Sequence, residues 1–231
     1  MRDTPLVRFK TIDWIGRALR KAGTELIKVS SLKGTWIDVG AHKGESSFNY
    51  ACRNPSLQVY AFEPNLRTAA SLFGRIANYV VLPMAVAETD GFAEFHVNRF
   101  DDASSLLPMN EQARKSWVGG DVFQLEKTIT VPTIRLDTFM DLFSIQEVEF
   151  LKVDAQGTDL AVLRSAGPRL RDVTKIVMEV DVSPLPVYKG SHSKTEAIEF
   201  LKKAGFELVQ TEGQAYDQEE NLTFVRGKIA N

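Results

Sequence analysis

TWIDVGAHKGE, residues 35–45, predicts a β-strand that runs into a tight turn with two glycines. A second apolar run, VYAFEP at residues 59–64, ends in Glu63. A strand, a glycine turn, a helix and a second strand that ends in an acid are typical of a nucleoside-binding βαβ unit. The turn lets a cofactor approach the backbone, and the acid can bind two ribose hydroxyls. These residues alone suit both NAD and S-adenosylmethionine, so the choice of cofactor depends on the rest of the chain.

Apolar strands alternate with helical segments over much of the chain. The spacing predicts strands at 36–39, 58–62, 79–83, 149–153 and 175–180, and helices at 45–53, 66–76, 138–143, 159–164 and 194–204. This alternation predicts an α/β fold, with a mostly parallel Rossmann-like sheet and helices on both faces. Two final strands, 206–211 and 222–226, flank a polar turn and predict an antiparallel hairpin. The usual dinucleotide-binding fold differs, because its last strands are also parallel.

The middle of the chain carries a different signal. Asp90 and Gly91 form a dipeptide that is typical of a tight hairpin turn, and we expect it to join a strand at 84–87 to a strand at 92–97. After a further strand, Asp137 is the expected N-cap of the next helix, because its carboxylate can accept a hydrogen bond from the first helical turn.

The composition is that of an ordinary globular chain. Its 231 residues, 44% of them hydrophobic and 25% charged, suffice for one domain with a full core. A formal net charge of −2 gives no general attraction to nucleic acid or to an anionic membrane. We expect a helical extension at residues 1–33, based on helical apolar spacing within 11–29, and a single domain over 34–231.

Cysteine usage and the N-terminus bear on the compartment. The single cysteine, Cys52, cannot form an internal disulfide, which fits a reducing compartment, and we expect it to be a buried small apolar residue. The N-terminus is charged and lacks a long apolar core, so neither a signal peptide nor a membrane span is expected. The expected location is cytoplasmic.

Five motifs, in this order, resemble the FkbM-type methyltransferases. They are DVGAHKGE at 38–45, FEP at 62–64, LD at 136–137, LKVDAQG at 151–157 and MEV at 178–180. The resemblance covers roughly residues 34–226. It implies the seven-stranded Rossmann-like methyltransferase fold with a terminal antiparallel hairpin, the cofactor S-adenosylmethionine, and O-methylation of sugars or other hydroxyl-bearing metabolites.

Two residues depart from the common pattern of the family. His42 stands where many members have Asn, and Gln156 stands where many have Glu. Both changes leave the turn glycines and Glu63 in place, so cofactor binding is still expected. The change at Gln156 puts in doubt any mechanism that needs a carboxylate at that position.

The motif positions predict a set of cofactor-binding residues. These are Asp38, Gly40, Ala41, Gly44, Glu63, Pro64, Ala85, Ser104 and Ser105. The resemblance implies that Asp38 helps to hold the amino group of the cofactor, directly or through water. Ser104 and Ser105 are expected to cover the adenosyl part or the acceptor, with a solvated loop as the alternative.

Four acids are expected at one rim of the sheet, because ligands of open α/β sheets bind beyond the carboxyl ends of the strands. They are Asp38, Glu63, Asp154 and Glu179. Asp154 is the first candidate for the base that takes the proton of an acceptor hydroxyl, and His192 is the second. Glu179 is expected either to contact the acceptor or to pair with Lys152.

Metal binding has weak support in the sequence. No zinc-ligand spacing is present, so no metal-ligating residues are assigned. A Mg²⁺ ion between Asp154 and Glu179 remains an alternative that the pattern does not favour.

Rival functions are separated by the first turn and by the partners they require. A nicotinamide-dependent oxidoreductase needs GxGxxG, whereas the chain has GxxxG. A non-catalytic module that keeps the fold would bind the cofactor without turnover.

The expected partner is a small-molecule or glycan acceptor rather than nucleic acid, and the sequence gives no oligomeric state. Residues 98–120 and 181–193, both polar, are expected to form the acceptor pocket, and the first of these segments is typical of a lid, a binding loop or a disordered stretch.

Overall fold

The computed structural model describes residues 32–117, 120–214 and 218–227. The helical extension expected at residues 1–33 therefore lies almost entirely outside the described residues. Among the described residues, no helix has the length and apolar character needed to cross a bilayer.

Strands and helices alternate along the chain in the expected way. The strands are β1 (Gly34–Val39), β2 (Leu57–Phe62), β3 (Tyr79–Leu82), β4 (Ala85–Val86), β5 (Gly91–Asn98), β6 (Leu125–Ile134), β7 (Phe150–Val153), β8 (Lys175–Asp181), β9 (Phe206–Gln214) and β10 (Glu219–Arg226). The helices are α1 (Phe48–Arg53), α2 (Leu66–Ala69), α3 (Glu111–Ser116), α4 (Leu136–Leu142), α5 (Asp159–Ser165) and α6 (Lys194–Lys203).

The main sheet has seven strands in the order β3-β2-β1-β7-β8-β10-β9. The first five strands of this order are parallel, and β10 pairs antiparallel with both β8 and β9. The predicted fold class is thereby confirmed, including the terminal hairpin. Because the carboxyl ends of β1, β2, β7 and β8 meet at one edge, the residues that follow these strands are brought to one rim.

Burial on both faces of the sheet explains why its central strands are continuous apolar runs. Ile37 and Val39 of β1 belong to the apolar layer on one face, together with Leu151. Trp36 belongs to the layer on the opposite face and packs on Phe150, with ring centroids 4.8 Å apart. Because side chains alternate along β1, this strand contributes residues to two apolar cores, one on each face of the sheet.

A second, three-stranded sheet corrects the predicted hairpin. Strand β4 pairs in parallel with β6, and β5 pairs antiparallel with β6, so β4 and β5 are not neighbours. The Asp90 carboxylate accepts hydrogen bonds from Arg135 N–H (2.7 Å) and from the Thr138 hydroxyl (3.0 Å). The turn at Asp90 is thus held against the end of β6, and the longer β6 replaces β4 as the partner of β5.

Three local predictions also change. Helix α4 begins at Leu136 with Arg135 as its N-cap, so Asp137 lies in the first turn, where it pairs with Arg135 at 2.6 Å. Helix α2 ends at Ala69, well before the predicted end at residue 76. Cys52 is exposed, because Ala51 is the residue of α1 that faces the core.

The two polar segments expected to form the acceptor pocket lie side by side at the rim. Asn110 N–H donates to Val187 O at 2.7 Å, and Lys189 N–H donates to Pro108 O at 2.9 Å. Trp117 is buried in a small apolar cluster that also contains Tyr188. Residues 98–117 are therefore an ordered segment that includes α3, and they pack on the loop that follows β8.

The turn after β1 depends on close backbone packing. Gly40 has φ +75, in the region that favours glycine, and a Cβ added there would overlap the carbonyl oxygen of Asp154. The first turn therefore approaches the turn that follows β7 more closely than any other residue type allows.

We expect Gly40→Ala to destabilise the fold more than Gly74→Ala. Gly74 has a similar φ of +66 but has no atom within 4 Å of an added Cβ. The control therefore isolates the backbone strain of about 1–2 kcal/mol, and Gly40→Ala adds an overpacking cost of about 1–3 kcal/mol. Urea unfolding measures both free energies, and equal losses would show that contact with Asp154 does not constrain the turn.

Candidate active site

A buried ammonium joins the two turns at the rim. Lys152 extends from β7, and its Nζ lies 3.3 Å from Asp38 Oδ1, 3.3 Å from Asp154 Oδ2 and 3.0 Å from Gly40 O. Burial opposes the charge, but the charges of Asp38 and Asp154 prevail and raise the pKa of Lys152 above its ordinary value. The expected ion pair of Lys152 therefore forms with these two acids, and Glu179 has other partners.

Asp38 is placed beneath the turn rather than on its surface. Its residue exposure is 1%, and its second oxygen accepts a hydrogen bond from the Ser47 hydroxyl, which also lies 3.0 Å from the Tyr79 hydroxyl. Burial raises the pKa of Asp38, although Lys152 and Ser47 act in the opposite direction. This carboxylate supports the shape of the turn from below.

Glu63 lies where an acid is expected to bind ribose. One carboxylate oxygen accepts Asn65 N–H at 2.8 Å, and the other accepts His42 N–H at 2.9 Å. Each oxygen can accept a second hydrogen bond, so two adjacent hydroxyls can be bound. Burial raises the pKa of Glu63 to about 7, although the Asn65 N–H and the charge of His42 favour the ionised form.

The backbone donors of the first turn are used within the protein. Gly40 N–H and Ala41 N–H both donate to Phe62 O, and Gly44 N–H donates to Ala41 O. These bonds fix the turn against the end of β2. Among the other expected cofactor residues, Pro64 directly follows Glu63, and Ala85 is buried in β4.

His42 connects the first turn to the segment above it. Its Nε2 lies 3.2 Å from Asp101 Oδ1, and its Nδ1 contacts Asp102 and lies 3.2 Å from Glu45 Oε1. Burial opposes protonation, but hydrogen bonds to Asp102 and Glu45 raise the pKa of His42 to about 10. The sequence marked His42 only as a departure from the family pattern, because the two aspartates lie about 60 residues away.

Ser104 and Ser105 separate in their roles. The Ser104 hydroxyl accepts Asn98 N–H at 3.1 Å and holds its own segment together. The Ser105 hydroxyl donates to Gln156 O at 2.6 Å and accepts Leu107 N–H at 2.9 Å. Ser105 therefore lies at the turn after β7 and fixes the backbone there.

Asp154 and Glu179 form a hydrogen-bonded pair of carboxyl groups. Burial favours the neutral acid at Asp154, but the charge of Lys152 and the hydrogen bond from Glu179 lower its pKa. At Glu179, burial and the charge of Asp154 raise the pKa well above its ordinary value. Asp154 is thus the ionised member, Glu179 holds the shared proton, and 33% of the Asp154 side chain is exposed to solvent.

Gln156 links these two carboxyl groups. Its Nε2 donates to Asp154 Oδ1 and to Glu179 Oε2, both at 2.9 Å. The Tyr188 hydroxyl lies 2.7 Å from Gln156 Oε1 and 2.8 Å from Ala103 O, and its single proton serves one of these two oxygens. The amide nitrogen bridges the acids that a cation would have to bridge, which disfavours the Mg²⁺ alternative. Among the described residues, His42, Asp101 and Asp102 have the spacing for a metal ion. The His42 imidazole already contacts both aspartates.

His192 is placed in the pocket, but its geometry does not suit a base. Its Nε2 lies 2.8 Å from Arg164 Nη1, and because a guanidinium only donates, Nε2 must accept. The neutral ring therefore carries its proton on Nδ1, which is buried and has no hydrogen-bond partner among the described residues. With Nε2 engaged by Arg164, this geometry does not favour His192 as the base.

A small cavity of about 30 Å³ lies beside this pair of acids. This volume is enough for water but not for an acceptor. Its lining includes Gln156, Glu179, Tyr188, His192 and Glu219. No sequence signal pointed to Tyr188 or Glu219. Tyr188 lies in an irregular loop, and Glu219 begins β10, which reaches the rim only by pairing antiparallel with β8.

The strand order and the acid-lined rim define a Rossmann-like methyltransferase domain. The chain belongs to the family described as the methyltransferase FkbM domain, whose profile matches residues 38–208, and this confirms the resemblance. A relative from Sinorhizobium fredii, described as 2-O-methyltransferase NoeI, is 24% identical over 184 residues, which are 75% of this chain and 72% of the relative.

Solved structures agree on the fold. Magnesium protoporphyrin IX methyltransferase from Synechocystis PCC 6803, with bound SAH, has a TM-score of 0.50 and 11% identity, covering 94% of this chain and 82% of its own. A chain of a fibrillarin/Nop5p complex also has a TM-score of 0.50, with 12% identity, covering 91% of this chain and 79% of its own.

We expect Lys152→Met to destabilise the protein by about 3–5 kcal/mol, because it leaves the buried Asp38 carboxylate without its cation. The control is Lys43→Met. The Lys43 side chain is 54% exposed and lies 3.6 Å from Asp101, so the expected loss is at most about 1 kcal/mol. Chemical unfolding at neutral pH measures both changes. A loss for Lys152→Met as small as that of the control would refute the central role of this ammonium.

Proposed function

We propose that the protein is an S-adenosylmethionine-dependent O-methyltransferase that acts on a hydroxyl of a sugar, a glycan or another small metabolite. The observation that carries the proposal is the ionised Asp154, partly exposed at the rim and fixed on both sides by Lys152 and Gln156. The NoeI relative, described as a 2-O-methyltransferase, supports oxygen as the acceptor atom.

The residues of the rim fit the cofactor. Glu63 would hold the two ribose hydroxyls, since each of its oxygens still has acceptor capacity beyond one backbone N–H. The turn from Gly40 to Gly44 would face the methionine part, with Asp38 supporting it from below. The SAH bound in the magnesium protoporphyrin IX methyltransferase structure supports the same class of cofactor here.

When bound, S-adenosylmethionine would supply an activated methyl group to the acceptor oxygen and would leave as the neutral thioether. Asp154 accepts a hydrogen bond from the acceptor hydroxyl and takes its proton as the bond forms. Lys152 and Gln156 hold the carboxylate in position, so the main contribution of the protein is alignment. Glu179 stays protonated and directs its proton toward Asp154.

We expect Asp154→Asn to lower kcat for methyl transfer by about 10²-fold or more, because the amide cannot take the proton. Transfer of labelled methyl groups measures the rate, and calorimetric titration with S-adenosylhomocysteine should give an unchanged affinity. The control is Asp141→Asn, whose side chain is 68% exposed and pairs with Arg169 away from the rim. Full turnover by Asp154→Asn would remove Asp154 as the base, and cofactor binding without turnover in the wild type would favour a non-catalytic module.

We expect the affinity for S-adenosylhomocysteine to rise between pH 6 and pH 8 and then to level off. The free Glu63 has a pKa of about 7, and its ionised form accepts ribose hydroxyls better, so binding releases a proton at lower pH. In Glu63→Gln the affinity should be lower and independent of pH over this range. The control is Glu88→Gln, an exposed acid outside the rim, which should keep the wild-type profile. Binding of NAD but not of the thioether would contradict the proposed cofactor.

A further inference from the structure

The imidazole of His42 has carboxylates at both of its nitrogens. Nε2 lies 3.2 Å from Asp101 Oδ1, whereas Nδ1 contacts Asp102 and lies 3.2 Å from Glu45 Oε1. An ionised carboxylate only accepts hydrogen bonds, and a neutral imidazole carries one N–H, so acids at both nitrogens favour the doubly protonated ring. Burial opposes this charge, but the hydrogen bonds to Asp102 and Glu45 raise the pKa of His42 to about 10. The ring is therefore an imidazolium at neutral pH.

His42 also reaches Glu63, the acid proposed to hold the ribose hydroxyls. The backbone N–H of His42 donates to Glu63 Oε2 at 2.9 Å. Burial raises the pKa of Glu63 to about 7, and the charge and the N–H of His42 act in the opposite direction. This residue therefore stabilises the ionised form of Glu63 in two ways, by a hydrogen bond and by a positive charge.

The contacts of the ring keep this charge in place. The backbone of His42 has φ +46, a left-handed conformation that residues with a Cβ seldom adopt, and acids on both sides of the ring oppose its relaxation. Asp101 is itself held by the Thr68 hydroxyl, which donates to its second oxygen at 3.4 Å. The imidazolium is thus anchored to the segment 98–117 as well as to Glu45, beside its own turn.

Asp101 acts on Glu63 with the opposite sign. Burial favours the neutral acid at Asp101, but the charges of His42 and Lys43 lower its pKa, so Asp101 is ionised. Its negative charge raises the pKa of Glu63. Loss of the imidazolium would therefore remove a favourable charge from Glu63 and would also leave this unfavourable charge without its partner on the ring.

We propose that His42 is a positioning residue for cofactor binding that acts through Glu63. Its positive charge keeps the Glu63 carboxylate ionised for the two ribose hydroxyls, and its N–H holds one carboxylate oxygen in place. A residue that departs from the common family pattern thereby sets the pH range in which the cofactor binds. This inference rests on the proposed binding of S-adenosylmethionine and specifies how that site is controlled.

The first experiment removes the charge and keeps the backbone. In His42→Asn the imidazolium is lost, but Asn tolerates the left-handed conformation, so the N–H to Glu63 is kept. S-adenosylhomocysteine is titrated calorimetrically into wild type and variant between pH 6 and pH 9, with EDTA present to exclude metal ions. The midpoint of the pH dependence should rise by about one pH unit, the effect of losing a nearby opposite charge. The affinity should then fall about fivefold at pH 7 and only slightly at pH 9.

The pH profile separates this role from a merely structural one. A variant that only loosens the turn loses the same factor at every pH, so a uniform loss would overturn the proposal. The control Arg67→Gln removes an exposed positive charge from α2, close to Glu63 in the chain, and should leave the midpoint unchanged. A shift in this control as large as that of His42→Asn would also overturn it. In Glu63→Gln, the further change His42→Asn should cause no pH-dependent difference, because the titrating carboxylate is absent.

A second variant keeps the test decisive if melting temperatures show that His42→Asn does not fold. Asp101→Asn changes a partly exposed side chain, keeps the imidazolium on Asp102 and Glu45, and removes the opposing charge from Glu63. Its midpoint should fall, and a midpoint that does not fall would refute the electrostatic role. Binding of S-adenosylhomocysteine by the wild type without any pH dependence would refute it as well. A wild type that does not bind the thioether would instead contradict the proposed function.

Discussion

The contact of the Lys152 ammonium with three oxygens is the interaction on which the rim depends. It joins Gly40 O and Asp38 on the first turn to Asp154 on the turn after β7. A buried ammonium is costly unless it is paired and hydrogen-bonded, and here it donates to Gly40 O and lies 3.3 Å from an oxygen of each acid. One side chain therefore sets the distance between the proposed cofactor turn and the proposed base, and it keeps that base ionised.

The segment 98–117 extends this coupling to the upper side of the site. At one point its Asp101 and Asp102 contact His42 on the first turn. A few residues later, Ser105 donates to Gln156 O beside Asp154. Because both contacts belong to one short stretch, this stretch connects the proposed cofactor turn to the backbone beside Asp154. The irregular composition of this stretch reflects contacts to the rim rather than an absence of structure.

Local patterns predicted most of the fold and the positions of the acids, because strand periodicity and βα order determine which residues reach the rim. The features that the sequence did not predict depend on contacts between residues that are far apart in the chain. Asp90-Gly91 has the composition of a hairpin turn, yet β6 pairs with both flanking strands, and no local signal ranks the two pairings. His192 was predicted as the second candidate for the base, but Arg164 of α5 donates a hydrogen bond to its Nε2. Tyr188 and Glu219 join the site only through the loop after β8 and the antiparallel β10.

Gln156 shows how one of these missed contacts changes the chemistry. A carboxylate at this position would put three acids in contact and would need an additional proton or a cation, because like charges at this separation cannot all ionise. An amide instead donates to both Asp154 and Glu179, and its oxygen lies 2.7 Å from the Tyr188 hydroxyl. The absence of a carboxylate at Gln156 thus does not argue against catalysis. Asp154 keeps a lowered pKa and Glu179 a raised one, and the proposed methyl transfer relies on this difference between the two acids.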